Sequence, residues 1–569
     1  MSRRIYVSDF ETTTTPDDCR VWGWGLCDVD DANSLDDVEM GQDMSSFIDR
    51  ISKHSSITYF HNLKFDGRFI FDWLLNNGYE HTFGRTEKGK FSSLISRMGQ
   101  FYSITVHWMN GRKTEFRDSV KKLPMAARDV ANAFGLEVSK GDIDYHEYRP
   151  VGHVLTEEER DYLARDVLII AQAIKVQLDE GMTKLTVGAD SLSEFKEIMG
   201  VRKFNKVFPV LPQSMDDEIR KAYRGGFTYA DKRFTGKKTR GGKVYDVNSL
   251  YPSVMYDRLL PHGEPIFWEA LPEVSDDYPL FIVSVTFTAK LKKDHIPIIQ
   301  VKGSSRFNTV EYQRVIKEPV TLTCTNVDLA LWMEHYDMEI LSYNGGWSFR
   351  GATGRFNDYI EKWMEVKANS KGGLRVIAKL HLNSLYGKFA TGCDVTGKYP
   401  YLDDNGVVRL TVGPEETRDP VYTAMGVFIT AYAREVTIRA AQANYGVFAY
   451  ADTDSLHLLT DEHPEDLEID PNALGAWKHE YDFTSAIYVR PKAYIEHVGP
   501  KHCSKHEKDP SHVHVPGCEY ETHIAGLQDH IASVLTFEDI SHGRQFAKKV
   551  PQAVPGGIIL KDIHFTLNM

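Results

Sequence analysis

The sequence has no run of about 18 or more consecutive apolar residues, so no membrane-spanning helix is expected. Asp9 arrives too soon after the start for a secretory signal to be expected. Cysteine is scarce, with six in 569 residues, at positions 19, 27, 324, 393, 503 and 518. That sparsity excludes a disulfide framework and suits a reducing compartment. An excess of positive charge is also missing: 67 basic against 80 acidic residues leave a net charge of −13. Indiscriminate polyanion binding is thereby excluded. A nucleic-acid enzyme is not, because its local field matters more than its total charge and it needs carboxylates to hold metal ions. Internal repeats and low-complexity tracts are absent. With 42% hydrophobic and 26% charged residues, disorder over most of the chain is excluded as well.

The length allows roughly three to five domains. Helix and strand signals alternate to about residue 180, giving an α/β first third that opens on a strand at 4–10. Residues 28–43 are acidic without Lys or Arg and read as a solvated loop or sheet edge. Thr156, followed by Glu157, Glu158 and Glu159, is an N-cap with an acidic first turn, and 162–178 continues as helix. A short strand at 243–247 ends in a turn, and 261–354 reads as mixed β. Residues 355–386 read as two helices broken at Gly372-Gly373. A hairpin is expected over 446–459 with Asp452-Thr453-Asp454 near its tip, and another around Pro555-Gly556-Gly557.

Two sets of carboxylates stand out. Asp9-Phe10-Glu11 puts two acids at i and i+2, on one face of a strand. Asp66 lies amid aromatics, and Tyr162 and Asp166 share a helix face at i and i+4. Four converging acids repel one another unless divalent cations neutralise them, and such cations can clamp both the attacking and the leaving oxygen of a phosphodiester. The competing reading is a structural ion-pair network. The second set is Asp246, in Asp246-Val247-Asn248-Ser249-Leu250-Tyr251-Pro252, together with Asp452 and Asp454, in Tyr450-Ala451-Asp452-Thr453-Asp454-Ser455. Asp246 and Asp454 can hold two ions that bind a triphosphate and activate a primer hydroxyl. Arg375, Lys379, Asn383 and Tyr386 line one helix face, with Lys367 and Lys371 just before the glycine break. Cations so placed suit a triphosphate, with Asn383 and Tyr386 near a nascent base pair. In isolation the same stripe would be a solvated basic face.

The first set resembles the DEDDy 3′–5′ exonucleases. The second, with Lys379-Leu380-His381-Leu382-Asn383-Ser384-Leu385-Tyr386-Gly387 between its halves, resembles the family B DNA polymerases. Further segments narrow the resemblance: Asp9-Phe10-Glu11-Thr12-Thr13-Thr14, the run from His61 to Gly67, Lys140-Gly141-Asp142-Ile143-Asp144-Tyr145-His146, Tyr223-Arg224-Gly225-Gly226-Phe227 and Met425-Gly426-Val427-Phe428-Ile429-Thr430-Ala431. The chain is similar, from about residue 4 to its end, to the protein-primed family B DNA polymerases of the phage phi-29 type. The resemblance implies an α/β and α+β multidomain fold. A ribonuclease-H-like 3′–5′ exonuclease domain (1–187) is followed by palm (188–257), a first terminal-protein-region insertion (258–354), fingers (355–390), a second insertion (391–422), palm again (423–524) and thumb (525–569). It implies a DNA-directed polymerase with proofreading that starts from a terminal protein, displaces strands, uses Mg²⁺ or Mn²⁺ as two ions per site, and works as a monomer or with its terminal protein in the cytoplasm of an infected bacterium. A DNA-primed enzyme without protein priming and a silent replisome scaffold are the alternatives.

Site roles follow residue by residue from the resemblance. Asp9, Glu11, Asp66 and Asp166 are exonuclease metal ligands, Tyr162 orients water, and Lys140 stabilises phosphate charge. Asp246, Val247 and Asp454 are the polymerase metal ligands, with Asp452 a supporting carboxylate. Ser249, Leu250 and Tyr251 meet the nucleotide, and Tyr251 excludes a 2′-hydroxyl. Arg375 stands where the family has Lys; it keeps the charge and can bind phosphate bidentately. Thr12, Tyr59, His61, Asn62, Phe65, Phe69, Ser119, Val120 and Tyr145 match positions that hold a single-stranded 3′ end, with Val120 in place of the usual Leu. Tyr223, Gly225 and Gly226 lie on the path between the sites. Lys388, Thr430, Arg434, Lys492 and Tyr494 match template and primer contacts.

One segment departs from the resemblance. Cys503, His506, His512 or His514, and Cys518 offer four ligands for a structural Zn²⁺, although the spacing is not that of a standard finger. The alternative is a His-rich surface loop with two thiols.

Overall fold

The computed structural model describes residues 3–139, 141, 143–144, 147–301, 312–499, 518–527, 529–533, 535–540 and 545–566. The first sheet has eight strands. Its centre is Arg4–Thr12, paired antiparallel with Val21–Asp28 and parallel with Ser56–Phe60. Strand alternation divides the side chains of Arg4–Thr12. Tyr6 and Phe10 enter an aromatic core with Phe60 and Phe69. Val7 packs on the other face with Leu163 and Val167 of the helix Glu157–Asp179. Asp9 and Glu11 share the parity of Val7, so the sheet aims both acids at that helix. Its N-terminus is fixed as expected: Thr156 N–H donates to Glu159 Oε2 at 2.9 Å and Glu159 N–H to Thr156 Oγ1 at 3.2 Å. Gly25 lies opposite Asp9, and a Cβ there would be 2.9 Å from Val167. Its absence lets the helix approach the strand closely. The acidic segment forms short 3₁₀ turns and the edge strand Val38–Gly41.

A second sheet of seven strands runs in the order Tyr520–Ile524, Ala493–His497, Trp477–Arg490, Lys238–Val247, Ser455–Leu458, Phe448–Asp452, Thr228–Ala230. Tyr245, Val247 and Leu456 share a core with Phe428 and other residues of the helix Thr423–Ala443. Val244, Tyr450 and Tyr488 form a separate aromatic cluster. The strand expected at 243–247 begins five residues earlier, at Lys238.

The helices Asn357–Asn369 and Gly372–Phe389 pack together beside this sheet. Between Leu260 and Ala352 lies a four-stranded sheet with the helix Asn326–His335. Lys398–Leu402 and Val408–Val412 form one hairpin, Gln545–Val554 and Gly557–Thr566 another. Both reach the first domain. Arg68 donates to the Val408 carbonyl at 3.2 Å, and the Gly556 N–H donates to Asp72 Oδ1 at 3.2 Å. The hairpins also touch each other through a bridge from Val407 to Pro555.

Candidate active sites

The first site forms where the strand Arg4–Thr12 faces the helix Glu157–Asp179. Ligand-capable oxygens of Asp9, Glu11 and Asp166 lie within 4.8 Å of one another. Asp66 reaches the same region from the helix Leu63–Asn76, which starts after Asn62 in left-handed backbone (φ 73°). Burial and the neighbouring Asp9 hold the Asp66 carboxyl well above the ordinary carboxylate range. Its Oδ1 is enclosed and has no hydrogen-bond partner among the described residues. Buried, mutually repelling carboxylates are the donor set that a divalent cation satisfies, so these residues fit the expected ions. Tyr162 is buried one helical turn before Asp166.

Asp118 is a residue that motif reading missed. Its Oδ1 accepts the N–H groups of Asn62 at 3.1 Å, Leu63 at 3.3 Å and Val120 at 3.2 Å. One carboxylate thereby ties the start of the Asp66 helix to the turn after the strand Lys113–Asp118. His61 is held at both nitrogens, by Ser119 Oγ and the Met125 carbonyl, each at 2.9 Å.

The second site lies at the end of the strand Lys238–Val247. Asp246 pairs with Ser455, and the Val247 N–H donates to the Asp454 carbonyl at 2.9 Å. The tight turn carrying Asp454 needs left-handed backbone at Thr453 (φ 64°). Burial, Asp454 and Glu480 push the Asp246 carboxyl up to about 7. Burial and Asp452 raise Asp454 as well. Asp246 Oδ1 is enclosed without a partner among the described residues, so this pair also fits divalent cations. Asp452 differs from the pair. Lys492 Nζ donates to both its oxygens, at 2.8 and 3.0 Å, and Thr228 donates to Oδ1 at 2.9 Å. Lys478, paired with Asp246 on the strand Trp477–Arg490, and Glu480, at the register shift two residues on, were also missed; only the pairing of the strands brings their charges to Asp246.

Arg375, Lys379 and Asn383 project from the exposed face of the helix Gly372–Phe389, and Lys371 stands exposed at its start. Lys367 donates to Ser249 Oγ at 3.0 Å, and burial, Lys379 and Arg375 lower its ammonium pKa. Arg375 in turn donates to the Lys367 carbonyl at 2.7 Å, so these cations sit together beside Ser249. Leu250 is buried. Tyr251 and Tyr386 stack with ring centres 3.9 Å apart and planes 16° from parallel. Gly226 lies against the turn that carries Asp454, since a Cβ there would be 2.6 Å from Thr453 Oγ1.

Five of the positions expected to touch DNA are buried. Tyr59, Phe69 and Ser119 are buried, with Gly557 seated over the Phe69 ring. Thr430 is buried, its hydroxyl donating to the Gly426 and Val427 carbonyls. The Arg434 guanidinium is buried against Asp328 at 2.7 and 3.0 Å and donates to the carbonyls of Arg224 and Gly225. It supports the Tyr223–Gly226 loop from beneath. Thr12, Asn62, Phe65, Val120, Tyr223, Gly225, Lys388, Lys492 and Tyr494 keep exposed surface. Lys140, Tyr145, Cys503, His506, His512 and His514 lie outside the described residues, and Cys518 is buried.

Comparison with known proteins gives the family. Residues 48–152 and 142–472 match the family described as DNA polymerase type B, organellar and viral. The chain is 45% identical to the DNA polymerase of Bacillus phage Nf and 44% identical to that of Bacillus phage phi29, each over 100% of both chains. It superimposes on phi29 DNA polymerase complexed with primer-template DNA and incoming nucleotide, with a TM-score of 0.91, 44% identity, and coverage of 99% of this chain and 100% of that one. The fold is accordingly a multidomain exonuclease joined to palm, fingers and thumb.

Proposed function

The chain belongs to the type B DNA polymerases of organelles and viruses and is a DNA-directed DNA polymerase, and from that premise we propose that it replicates a linear viral genome by protein-primed, strand-displacing synthesis with 3′–5′ proofreading. The observation that carries this reading is the presence, on one chain, of two separate clusters of carboxylates, one against the eight-stranded sheet and one on the seven-stranded sheet. A silent scaffold has no use for either cluster. The sheet at 260–352 and the hairpin at 398–412 fall in the two segments read as terminal-protein-region insertions, and that reading supports protein priming over a purely DNA-primed enzyme.

Asp246, the backbone of Val247, and Asp454 would hold ions at the polymerase site; Asp9, Glu11, Asp66 and Asp166 would hold them at the exonuclease site. When bound, two Mg²⁺ or Mn²⁺ ions per site supply charge neutralisation and lower the pKa of the attacking hydroxyl or water. The chain does the rest. Lys367, Lys371, Arg375 and Lys379 draw the triphosphate against the fingers helix. The Tyr251–Tyr386 stack forms the floor under the incoming sugar and leaves no room for a 2′-hydroxyl. Lys492 and Tyr494 hold the primer side, and Lys492 keeps Asp452 from competing for the ions. In the exonuclease, Tyr162 orients the water while Thr12, Asn62, Phe65 and Val120 receive the frayed strand. The work is placed in the cytoplasm of an infected bacterium. Cys503, His506, His512 or His514, and Cys518 are proposed to hold a structural zinc; metal analysis of chelator-washed protein finding none, with Cys503→Ser leaving stability unchanged, would remove that part.

The test separates the two sites. Asp454→Ala is expected to abolish primer extension and spare degradation of single strands. Asp9→Ala with Glu11→Ala is expected to do the reverse. Loss of both activities in either variant, with the fold intact, contradicts two independent sites.

A further inference from the structure

The palm sheet contains a buried acid for which neither active site has a use. Glu496 is fully enclosed, at 0% exposure. Its carboxylate accepts hydrogen bonds from Tyr488 Oη at 2.7 Å and Tyr481 Oη at 2.8 Å, and lies 2.7 Å from Nδ1 of His457, itself 1% exposed. Burial and Glu496 hold both phenols well above their ordinary pKa, so they remain donors. A buried carboxylate is costly unless satisfied on every side, and here three side chains satisfy it.

The contact is unusual for the strand order. Glu496 lies on Ala493–His497 and His457 on Ser455–Leu458, with Trp477–Arg490 and Lys238–Val247 between them. Neighbouring strands lie about 4.8 Å apart, so on a flat sheet the two would be about 14 Å apart. They meet because the sheet curls. Gly242 permits the bend: a Cβ there would run into the Leu458 carbonyl and lie 2.8 Å from the Phe483 ring.

The joined segments are the two that meet at the polymerase site. His457 follows Asp454 by three residues, and Glu496 follows Tyr494 by two. Between them stands Tyr450, whose ring centre is 5.0 Å from His457, 5.6 Å from Tyr488 and 4.9 Å from Tyr494. Its hydroxyl accepts the Lys492 N–H at 2.9 Å. Lys492 adopts left-handed backbone (φ 59°), a conformation that needs such support, and its ammonium grips Asp452. We propose that Glu496 and His457 are positioning residues that clamp the catalytic hairpin to the Lys492–Tyr494 segment and so hold the primer end in register with Asp454. Neither touches substrate. The inference rests on the reading of Asp246 and Asp454 as the synthetic site.

Glu496→Gln keeps the size and removes the charge; Tyr481→Phe removes one donor. For Glu496→Gln, extension of a primer-template at saturating nucleotide is expected to slow about 10-fold, as when a group supporting a catalytic ligand is lost. KM for nucleotide and the rate of single-strand degradation stay unchanged, and degradation of a paired primer end rises relative to extension. Tyr481→Phe shifts the same ratio less. Combining His457→Gln with Glu496→Gln adds little to either alone. An unchanged ratio in both single variants overturns the clamp. So does a parallel loss of extension and single-strand degradation together with a lower Tm, which marks a merely structural role. Extension by the unaltered chain, measured alongside, tests the synthetic site itself and separates its failure from that of the clamp.

Discussion

At the residue scale, both sites keep carboxylates in surroundings that favour the proton until a cation arrives. The Asp246 carboxyl sits near 7 because of burial, Asp454 and Glu480, far above an ordinary aspartate. A raised folded pKa means that ionisation works against the fold: stability is lost as pH rises from the unfolded value through about 7. Cations bind the ionised form and reverse that loss. Added Mg²⁺ is therefore expected to raise Tm more at pH 8 than at pH 5.5. Below pH 7 the Mg²⁺ concentration for half-maximal extension is expected to rise by up to about tenfold per pH unit for the one proton displaced. Equal Mg²⁺ requirements at pH 6 and pH 8 would contradict this assignment of Asp246. The Tyr251–Tyr386 stack gives a second residue-scale prediction. Tyr251→Val opens the space beneath the sugar, and incorporation of ribonucleotides relative to deoxyribonucleotides is expected to rise on the order of 100-fold in a primer-extension competition.

At the scale of elements, the fingers are placed by glycines. Gly372 has left-handed backbone (φ 56°), and a Cβ there would be 2.9 Å from the Phe134 carbonyl; at Gly373 it would be 2.6 Å from the Phe134 ring. The fingers helix thus docks directly on the exonuclease helix Ala127–Phe134. Gly372→Ala is expected to cost about 1–2 kcal/mol in denaturant unfolding. It should also raise KM for nucleotide while single-strand degradation continues unchanged. In the sequence, the pair Gly372-Gly373 is legible as a helix break, whereas its docking role is not, because Phe134 is far away along the chain. The same holds elsewhere. Asp9, Glu11, Asp246 and Asp454 could be read because strand periodicity and short motifs place them. Asp118, Lys478 and Glu480 could not, because strand register alone brings them to the sites. A motif also names residue types without saying which side of an element they occupy. The burial of Tyr59, Phe69, Ser119, Thr430 and Arg434 is not legible for that reason.

At the scale of the whole molecule, the exonuclease domain, the hairpin at 398–412 and the thumb hairpin form a closed circuit. Arg68 reaches Val408, Val407 bridges to Pro555, and Gly556 seats on Asp72 and against the Cys19 carbonyl. A side chain at Gly556 would strike that carbonyl, so Gly556→Ala is expected to open the circuit at the thumb tip. Product length per binding event, measured with a DNA trap, should fall severalfold, while the rate of inserting a single nucleotide stays the same. Unchanged product length would show that the contact does not retain DNA. On this reading, one chain both synthesises and displaces. The most direct test is extension of a labelled primer on a primed single-stranded circle, with Mg²⁺ and no accessory protein. Products longer than the circle are expected. Synthesis that stops after one lap would contradict the role given to the insertions, and shortening of the primer without extension would contradict the synthetic site itself.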